Sequence, residues 1–227
     1  NCLAAQSYQN YHLILVDDGS TDGTVEMVSD KIKNLTVIRG SGDLWWGGAL
    51  HKGYLRLKNT GASDGDAVLL CNDDVIFDRD YLETAAGLLE ASPEAMILSS
   101  VYTMDKKFFE AGVTADLENF TFKNAEPGGK INCATTRGIF FTVKTFLRTG
   151  GFYPLLLPHY LSDFEFTIRA YRRGIELKQA DKLKLYIDNG TTGYYNSIDN
   201  DGFITFIKKF FSKKYPDNPV YKVVFIF

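Results

Sequence analysis

Residues 12–24 read HLILVDDGSTDGT, and the way this stretch breaks decides the fold. His12–Val16 is an apolar run of strand length, halted by the adjacent carboxylates Asp17 and Asp18 and then by a polar, glycine-bearing turn. Ser20, Thr21 and Asp22 are residue types that cap helix N-termini, and Val25, Met27, Val28 and Ile32 recur beyond them at roughly helical spacing. The same pattern returns at residues 67–77, AVLLCNDDVIF, where the run Ala67–Cys71 ends in Asn72, Asp73 and Asp74. Adjacent like charges repel, and burying either is costly unless a cation or a hydrogen-bond donor answers it.

Working outward, further strands are predicted at Leu35–Ile38 and Ile97–Tyr102. The tail of a helix is predicted over Leu3–Tyr8, and helices over Trp46–Leu57 and Tyr81–Leu89, the last stopping before Pro93. Strand and helix thus alternate through the first hundred or so residues, which predicts an α/β fold with a central, largely parallel sheet flanked by helices. Ligands bind such sheets beyond the carboxyl ends of the strands, so both aspartate pairs are expected to face one cleft. The second half is more mixed. Short strands are predicted at Phe120–Phe122 and Ile131–Thr135 around the turn EPGGK, an apolar run at Gly138–Val143, and helices at Lys144–Thr149 and Ser162–Arg173.

The totals bound the function. A chain of 227 residues can bury a substantial core, and its 45% hydrophobic and 23% charged residues are ordinary for a globular protein. A net charge of −3 gives no sign of a nucleic-acid partner. Cys2, Cys71 and Cys133 are odd in number and far apart, which fits neither a zinc cluster nor a disulfide framework and favours a reducing, cytoplasmic compartment. The chain opens at Asn1 inside the predicted helix tail and stops at Phe227 inside VVFIF, so both ends are expected to continue.

Each motif has a plain reading and a chemical one. DDGSTDGT is a strand-to-helix turn or a nucleotide pocket, and it lacks both G-x-x-x-x-G-K-[ST] and G-x-G-x-x-G, so it is no phosphate loop. NDDV is a turn or a pair of oxygen ligands for Mg²⁺ or Mn²⁺. GDLWWGGAL (42–50) is core or a platform for a ring, with Trp46 facing the donor, Trp45 packing inward, and Gly47 and Gly48 allowing close backbone approach. In SDFEFTIR (162–169), Ser162 and Glu165 have capping-box spacing, Glu165 and Arg169 form an i,i+4 pair, and Asp163 in the first turn suits the helix dipole. A carboxylate there, facing a cleft, also suits a general base. The aromatic, basic C-terminal segment reads as a packed helix or as a peripheral contact with the inner face of an anionic membrane.

Together these motifs resemble a family-2 glycosyltransferase of the GT-A fold. QSYQNYHLILVDDGSTDGT (6–24) resembles that family's opening region, NDDV its DXD-type metal motif, LWWGGALHKGY (44–54) a segment of a bacterial rhamnosyltransferase-like subgroup, and HYLSDFEFTIRAYRRG (159–174) its acceptor-side segment. The resemblance runs from Asn1 to about Gly193 and implies a GT-A domain over residues 1–202, with residues 203–227 as a basic-aromatic helical extension. It also implies an inverting transfer from a nucleotide-diphosphate sugar to a carbohydrate or lipid-linked acceptor in surface polysaccharide or glycolipid synthesis. By the same resemblance Asp18, supported by Asp17, contacts the nucleoside. Asp73 contacts ribose or metal, Asp74 holds a divalent cation, Asp163 is the base, Glu165 lines the acceptor side, and His159 belongs with Trp46, Gly47 and Gly48 to the donor or acceptor pocket. The family's opening strand is missing from the chain, and where relatives place a metal-binding histidine the stretch YIDNGTTG offers Asp188. A nucleotidyltransferase of similar fold and a non-catalytic nucleotide-sugar-binding subunit are the alternative readings.

Overall fold

The computed structural model describes residues 1–126, 128–188, 212, 215 and 218–226. The order of elements is β1 (Leu13–Asp17), α1 (Thr24–Lys31), β2 (Leu35–Arg39), α2 (Trp45–Lys58), β3 (Ala67–Cys71), β4 (Val75–Phe77), α3 (Tyr81–Ala91) and β5 (Met96–Thr103). There follow β6 (Phe108–Glu110), β7 (Val113–Asp116), β8 (Thr121–Asn124), β9 (Gly138–Thr142), α4 (Val143–Thr149), α5 (Ser162–Arg172), β10 (Leu177–Ile187) and α6 (Pro219–Ile226). The predicted strands and helices of the first half are all present except the N-terminal one. Leu3–Tyr8 is not helical; a single turn closes with Ala5 N–H on Asn1 O, and Gln6 then ties the segment to Asp78 O and Leu82 N–H.

The main sheet has six strands in the order β3-β9-β5-β10-β4, with β6 also paired to β5. It is mixed, as expected, but less parallel than the strand–helix alternation predicts. β5 and β10 run parallel, whereas β9, β4 and β6 pair antiparallel with their neighbours. β1 and β2 form a separate parallel pair. β9, inserted between β3 and β5, accounts for two of the antiparallel pairings, and β4 and β6 for the others.

β5 explains the layering. Its sequence MILSSVYT is buried at every position but Tyr102, the signature of a central strand covered on both faces. Ile97 and Val101 join the face covered by α3, where Tyr81, Ala85 and Leu89 recur every four residues. Met96 and Leu98 join the opposite face, with Ile139, Phe141, Phe146, Phe152 and Phe166 under α4 and α5. α4 is capped at its start by Thr142, whose Oγ1 accepts from Thr145 N–H at 3.2 Å. A third cluster joins Val113, Ala115, Cys133 and Ile168, and Phe225 of α6 packs against it.

Two local expectations fail. Of the two short strands expected around EPGGK, the first is present as β8, paired with β7, but Ile131–Thr135 forms no strand and contributes only a Val113–Cys133 bridge. The α1 start has no side-chain cap onto the helix: Gly23, at φ 80°, occupies the cap position, and Asp22 accepts from Thr24. No described helix is long and apolar enough to cross a membrane. The boundary drawn at residues 202 and 203 and most of the segment beyond it lie outside the described residues, as does the stretch NGTTG after Asp188.

Gly138 sits where β9 crosses the core. A Cβ there would lie 2.1 Å from Leu185 Cδ1 and 2.9 Å from the Tyr81 hydroxyl, whereas a Cβ on Gly87 of α3 would meet nothing within 4 Å. Gly138→Ala is expected to lose about 1–3 kcal/mol, and Gly87→Ala to gain up to about 1 kcal/mol. Urea unfolding of both variants checks this; equal effects would contradict the placement of β9.

Candidate active site

The aspartates that end β1 are bonded differently from each other. Asp17 is buried; its Oδ1 accepts from Ser20 N–H at 3.0 Å and its Oδ2 faces Arg39 Nη1 at 3.2 Å. The Ser20 bonds, aided by the Arg39 charge, hold its carboxyl below the usual range. Asp18 reaches into the next connection. Its Oδ1 accepts from Gly42 N–H at 2.7 Å, and its Oδ2 from Leu44 N–H at 2.7 Å and Trp45 N–H at 3.2 Å. Both residues therefore shape the loop that leads into α2, and the Asp18 carboxylate is already answered by three backbone donors.

That loop delivers the tryptophans. Trp45, at φ 57°, opens α2 in a left-handed conformation that non-glycine residues seldom adopt. It is half-buried, as Trp46 is, so the expected split into one inward and one outward ring is not seen in burial; its indole N–H donates to Asp43 Oδ1 at 2.6 Å, and its ring lies 5.4 Å from that of His159. Trp46 is pinned by its indole N–H to Thr136 Oγ1 at 3.0 Å. Gly47 and Gly48 are both buried, and the close approach they permit is to the chain itself. Gly47 N–H donates to Pro158 O at 2.8 Å, and a Cβ there would lie 2.6 Å from Leu157 O. The start of α2 is thereby pressed against the loop that leads into α5.

α5 begins after Leu161, which also has a left-handed backbone, at φ 65°. The capping box does not form. Ser162 Oγ donates to His159 O at 2.6 Å, and Glu165 takes a fork from Arg169, with Nε and Nη2 at 2.7 and 2.9 Å. The predicted i,i+4 pair is therefore present, and it extends through Arg169 to Gly151 O and the Tyr153 ring. Asp163 stands in the first turn, its Oδ1 accepting from Phe164 N–H at 2.9 Å. It keeps part of its surface open, yet desolvation by the surrounding protein pushes its pKa up to about 6. His159 is shifted the other way by desolvation, which favours a neutral ring.

Register brings Asp73 and Asp74 to the same edge. Cys71 pairs with Gly138, two residues from the Thr136 that holds Trp46, so the end of β3 and the start of α2 are neighbours. Asp73 and Asp74 lie exposed in the turn between β3 and β4, with no hydrogen bond or ion pair to a protein group among the described residues. Ile187 pairs antiparallel with Val75, so the next residue, Asp188, falls opposite Asp74. Exposed carboxylates without protein donors suit a hard cation that keeps waters or phosphate oxygens as its other ligands. No set of three His, Cys, Asp or Glu suited to a metal is preassembled among the described residues.

Sequence reasoning passed over three residues here. Thr136, Arg137 and Glu110 belong to segments without recognisable periodicity, and only the register of β9 and β6 places them at this edge. The clamp at Asp18 has a measurable consequence. Asp18→Ala removes three hydrogen bonds to a charged acceptor and is expected to cost about 2 kcal/mol, or roughly 4–8 °C in melting temperature. Differential scanning calorimetry without nucleotide checks this; an unchanged midpoint would mean that Asp18 is not holding the loop.

No curated protein matches the chain. Among solved structures, GalNAc-T7 with UDP, GalNAc and Mn²⁺ superposes with a TM-score of 0.65 at 11% identity, over 85% of this chain and 40% of that one. TarS of S. aureus gives 0.61 at 20% identity, over 82% of this chain and 33% of that one. The mannosyltransferase PcManGT of Pyrobaculum calidifontis with GDP-Man and Mn²⁺ gives 0.56 at 16% identity, over 84% and 52%. The chain thus spans between a third and about half of these proteins, and the likeness is one of GT-A fold. The profile of glycosyl transferase family 2 matches residues 1–146, well over half of the sequence, and the chain belongs to that family.

Proposed function

We propose that the protein transfers a sugar from a nucleoside-diphosphate sugar to an acceptor hydroxyl with inversion at the anomeric carbon. The observation that carries this reading is Asp163, a desolvated carboxyl at a helix start, in a loop pressed against the tryptophan turn at the carboxyl edge of the sheet. With a pKa near 6 it is mostly ionised at neutral pH and still basic enough to take a proton. It would accept the acceptor hydroxyl's proton as that oxygen attacks the sugar carbon from the side opposite the departing diphosphate. Trp45, Trp46 and His159 would wall the donor pocket and exclude water. Asp17 and Asp18 would act mainly by shaping the loop around the nucleoside.

Asp74, with Asp73 and Asp188 beside it, would hold a divalent cation, Mn²⁺ or Mg²⁺. Such an ion, when bound, neutralises charge on a diphosphate leaving group. The Mn²⁺ found with UDP and GalNAc in one structural neighbour and with GDP-Man in another supports this choice. On the acceptor side, Leu155, 97% exposed, and the exposed Tyr153 and Leu156 give the loop before α5 an apolar rim. That rim supports a carbohydrate acceptor carried on a lipid or within a surface polysaccharide or glycolipid.

Asp163→Asn keeps the shape and removes the proton acceptor. Transfer is expected to fall about 10²- to 10⁴-fold, with donor affinity retained. Because the folded pKa lies above the unfolded one, ionising Asp163 opposes folding, and stability from this group is lost as pH rises through about 6. Asp163→Asn should therefore be more stable than the parent at pH 8, by about 1–3 kcal/mol once screening is allowed for, and no more stable below pH 4. Turnover and urea unfolding across pH check the two effects; a variant that transfers sugar at the parent rate would refute the base. A separate expectation concerns the cation: Asp74→Ala should abolish the Mn²⁺-dependent part of nucleoside diphosphate binding by calorimetry. Tight binding that survives EDTA would contradict it.

A further inference from the structure

Glu110 ends β6, opposite Val101 near the end of β5. Arg137 leads into β9 on that same edge of β5, beyond the short contact of β9 with Ile97 and Leu98. Arg137 Nη1 lies 3.2 Å from Glu110 Oε1, and the pair is mostly shielded, with side chains 20% and 14% exposed. Thr135 Oγ1 donates to the same Oε1 at 2.8 Å, and the guanidinium lies over the Phe109 ring. In the bend at residues 135–137, Thr135 and Arg137 reach Glu110, while Thr136 between them reaches Trp46. Ala134 bonds with the Thr167 hydroxyl of α5, which sets this segment beside the turn that carries Asp163.

We propose that Glu110 and Arg137 are positioning residues for the Asp163 carboxyl: Glu110 captures the guanidinium that would otherwise pair with Asp163 and so leaves a free, basic carboxylate at the start of α5. This rests on the reading of Asp163 as the base. No ion pair joins Arg137 to Asp163 among the described residues; its one carboxylate partner is Glu110. Arg137 Nε is buried with no partner, so the guanidinium is held from one end, against a carboxylate steadied by Thr135. The groups that act on Asp163 are the Phe164 amide on its own helix, Glu110 from β6, and Arg137 from the segment before β9. The wholly buried Cys133 thiol beside it is itself raised well above its usual range, first by desolvation and then by Asp163, and stays neutral. Glu110 raises the proton affinity of Asp163 and Arg137 lowers it, in keeping with the geometry.

The arrangement has a sign that a merely structural ion pair lacks. Glu110→Gln removes a repelling charge and releases Arg137 toward Asp163, so the Asp163 pKa falls. Arg137→Gln removes the attracting charge, so it rises. The measurement is the carboxyl ¹³C titration of Asp163 in the protein without nucleotide, assigned by difference from Asp163→Asn. Shifts of about half a pH unit or more, in opposite directions, are expected. The acid limb of kcat/KM should move with them. Shifts of the same sign, or none, would overturn the proposal. If Glu110→Gln fails to fold, Arg137→Gln decides alone: no rise overturns it. Opposite NMR shifts together with undiminished transfer by Asp163→Asn would leave the positioning intact and remove only the base assignment.

Discussion

The carboxylate of Asp18 holds the two parts of the sheet system in relation to each other. β1 and β2 share no hydrogen-bonded ladder with the six-stranded sheet among the described residues. What spans the interval is α2, packed on β1, and the loop before it, whose Gly42, Leu44 and Trp45 amides converge on Asp18. From that loop the contacts run on without a break. Trp46 reaches Thr136 beside β9, Gly47 reaches Pro158, and Trp45 meets His159 just ahead of α5. The clamp sets the loop from which both tryptophans emerge, and the Thr136, Pro158 and His159 contacts carry that position on toward Asp163.

The acidic residues of the site divide by what answers their charge. Asp17 and Asp18 are met by backbone amides, and Glu165 by the Arg169 fork. These three build structure, and the last fastens α5 to the Gly150–Gly151 turn through Arg169. Asp73 and Asp74 are met by no hydrogen bond or ion pair among the described residues. Asp163 stands between these cases, with one amide and a desolvating surround that keep its carboxyl basic. The left-handed backbone at Trp45 and at Leu161 falls at the starts of α2 and α5, and such positions commonly store strain of about 1–3 kcal/mol per residue at functional sites.

Much of this was legible in the sequence. Apolar runs broken by paired aspartates located β1 and β3, and helical spacing located α2, α3 and α5, because local burial patterns dictate those elements. Partners were not legible. Nothing in DDGS says that the second aspartate bonds backwards to a loop more than twenty residues on, and nothing in SDFEF says that Ser162 and Glu165 turn away from the cap. β10 escaped notice although Leu183, Leu185 and Ile187 alternate as buried residues, because lysines and a register shift after Ala180 interrupt the pattern. Glu110 and Arg137 lie in segments with no periodic signal and meet only through pairing across β5.

The central claim is that one edge of the sheet gathers the donor, the cation and the base. A crystal structure with a nucleoside diphosphate and Mn²⁺ tests it most directly. The expected result is Mn²⁺ on Asp74, the diphosphate between that ion and the tryptophan turn, and Asp18 still bonded to the Gly42 and Leu44 amides. A nucleotide bound away from the β3–β4 turn, or a cation held without Asp74, would contradict it.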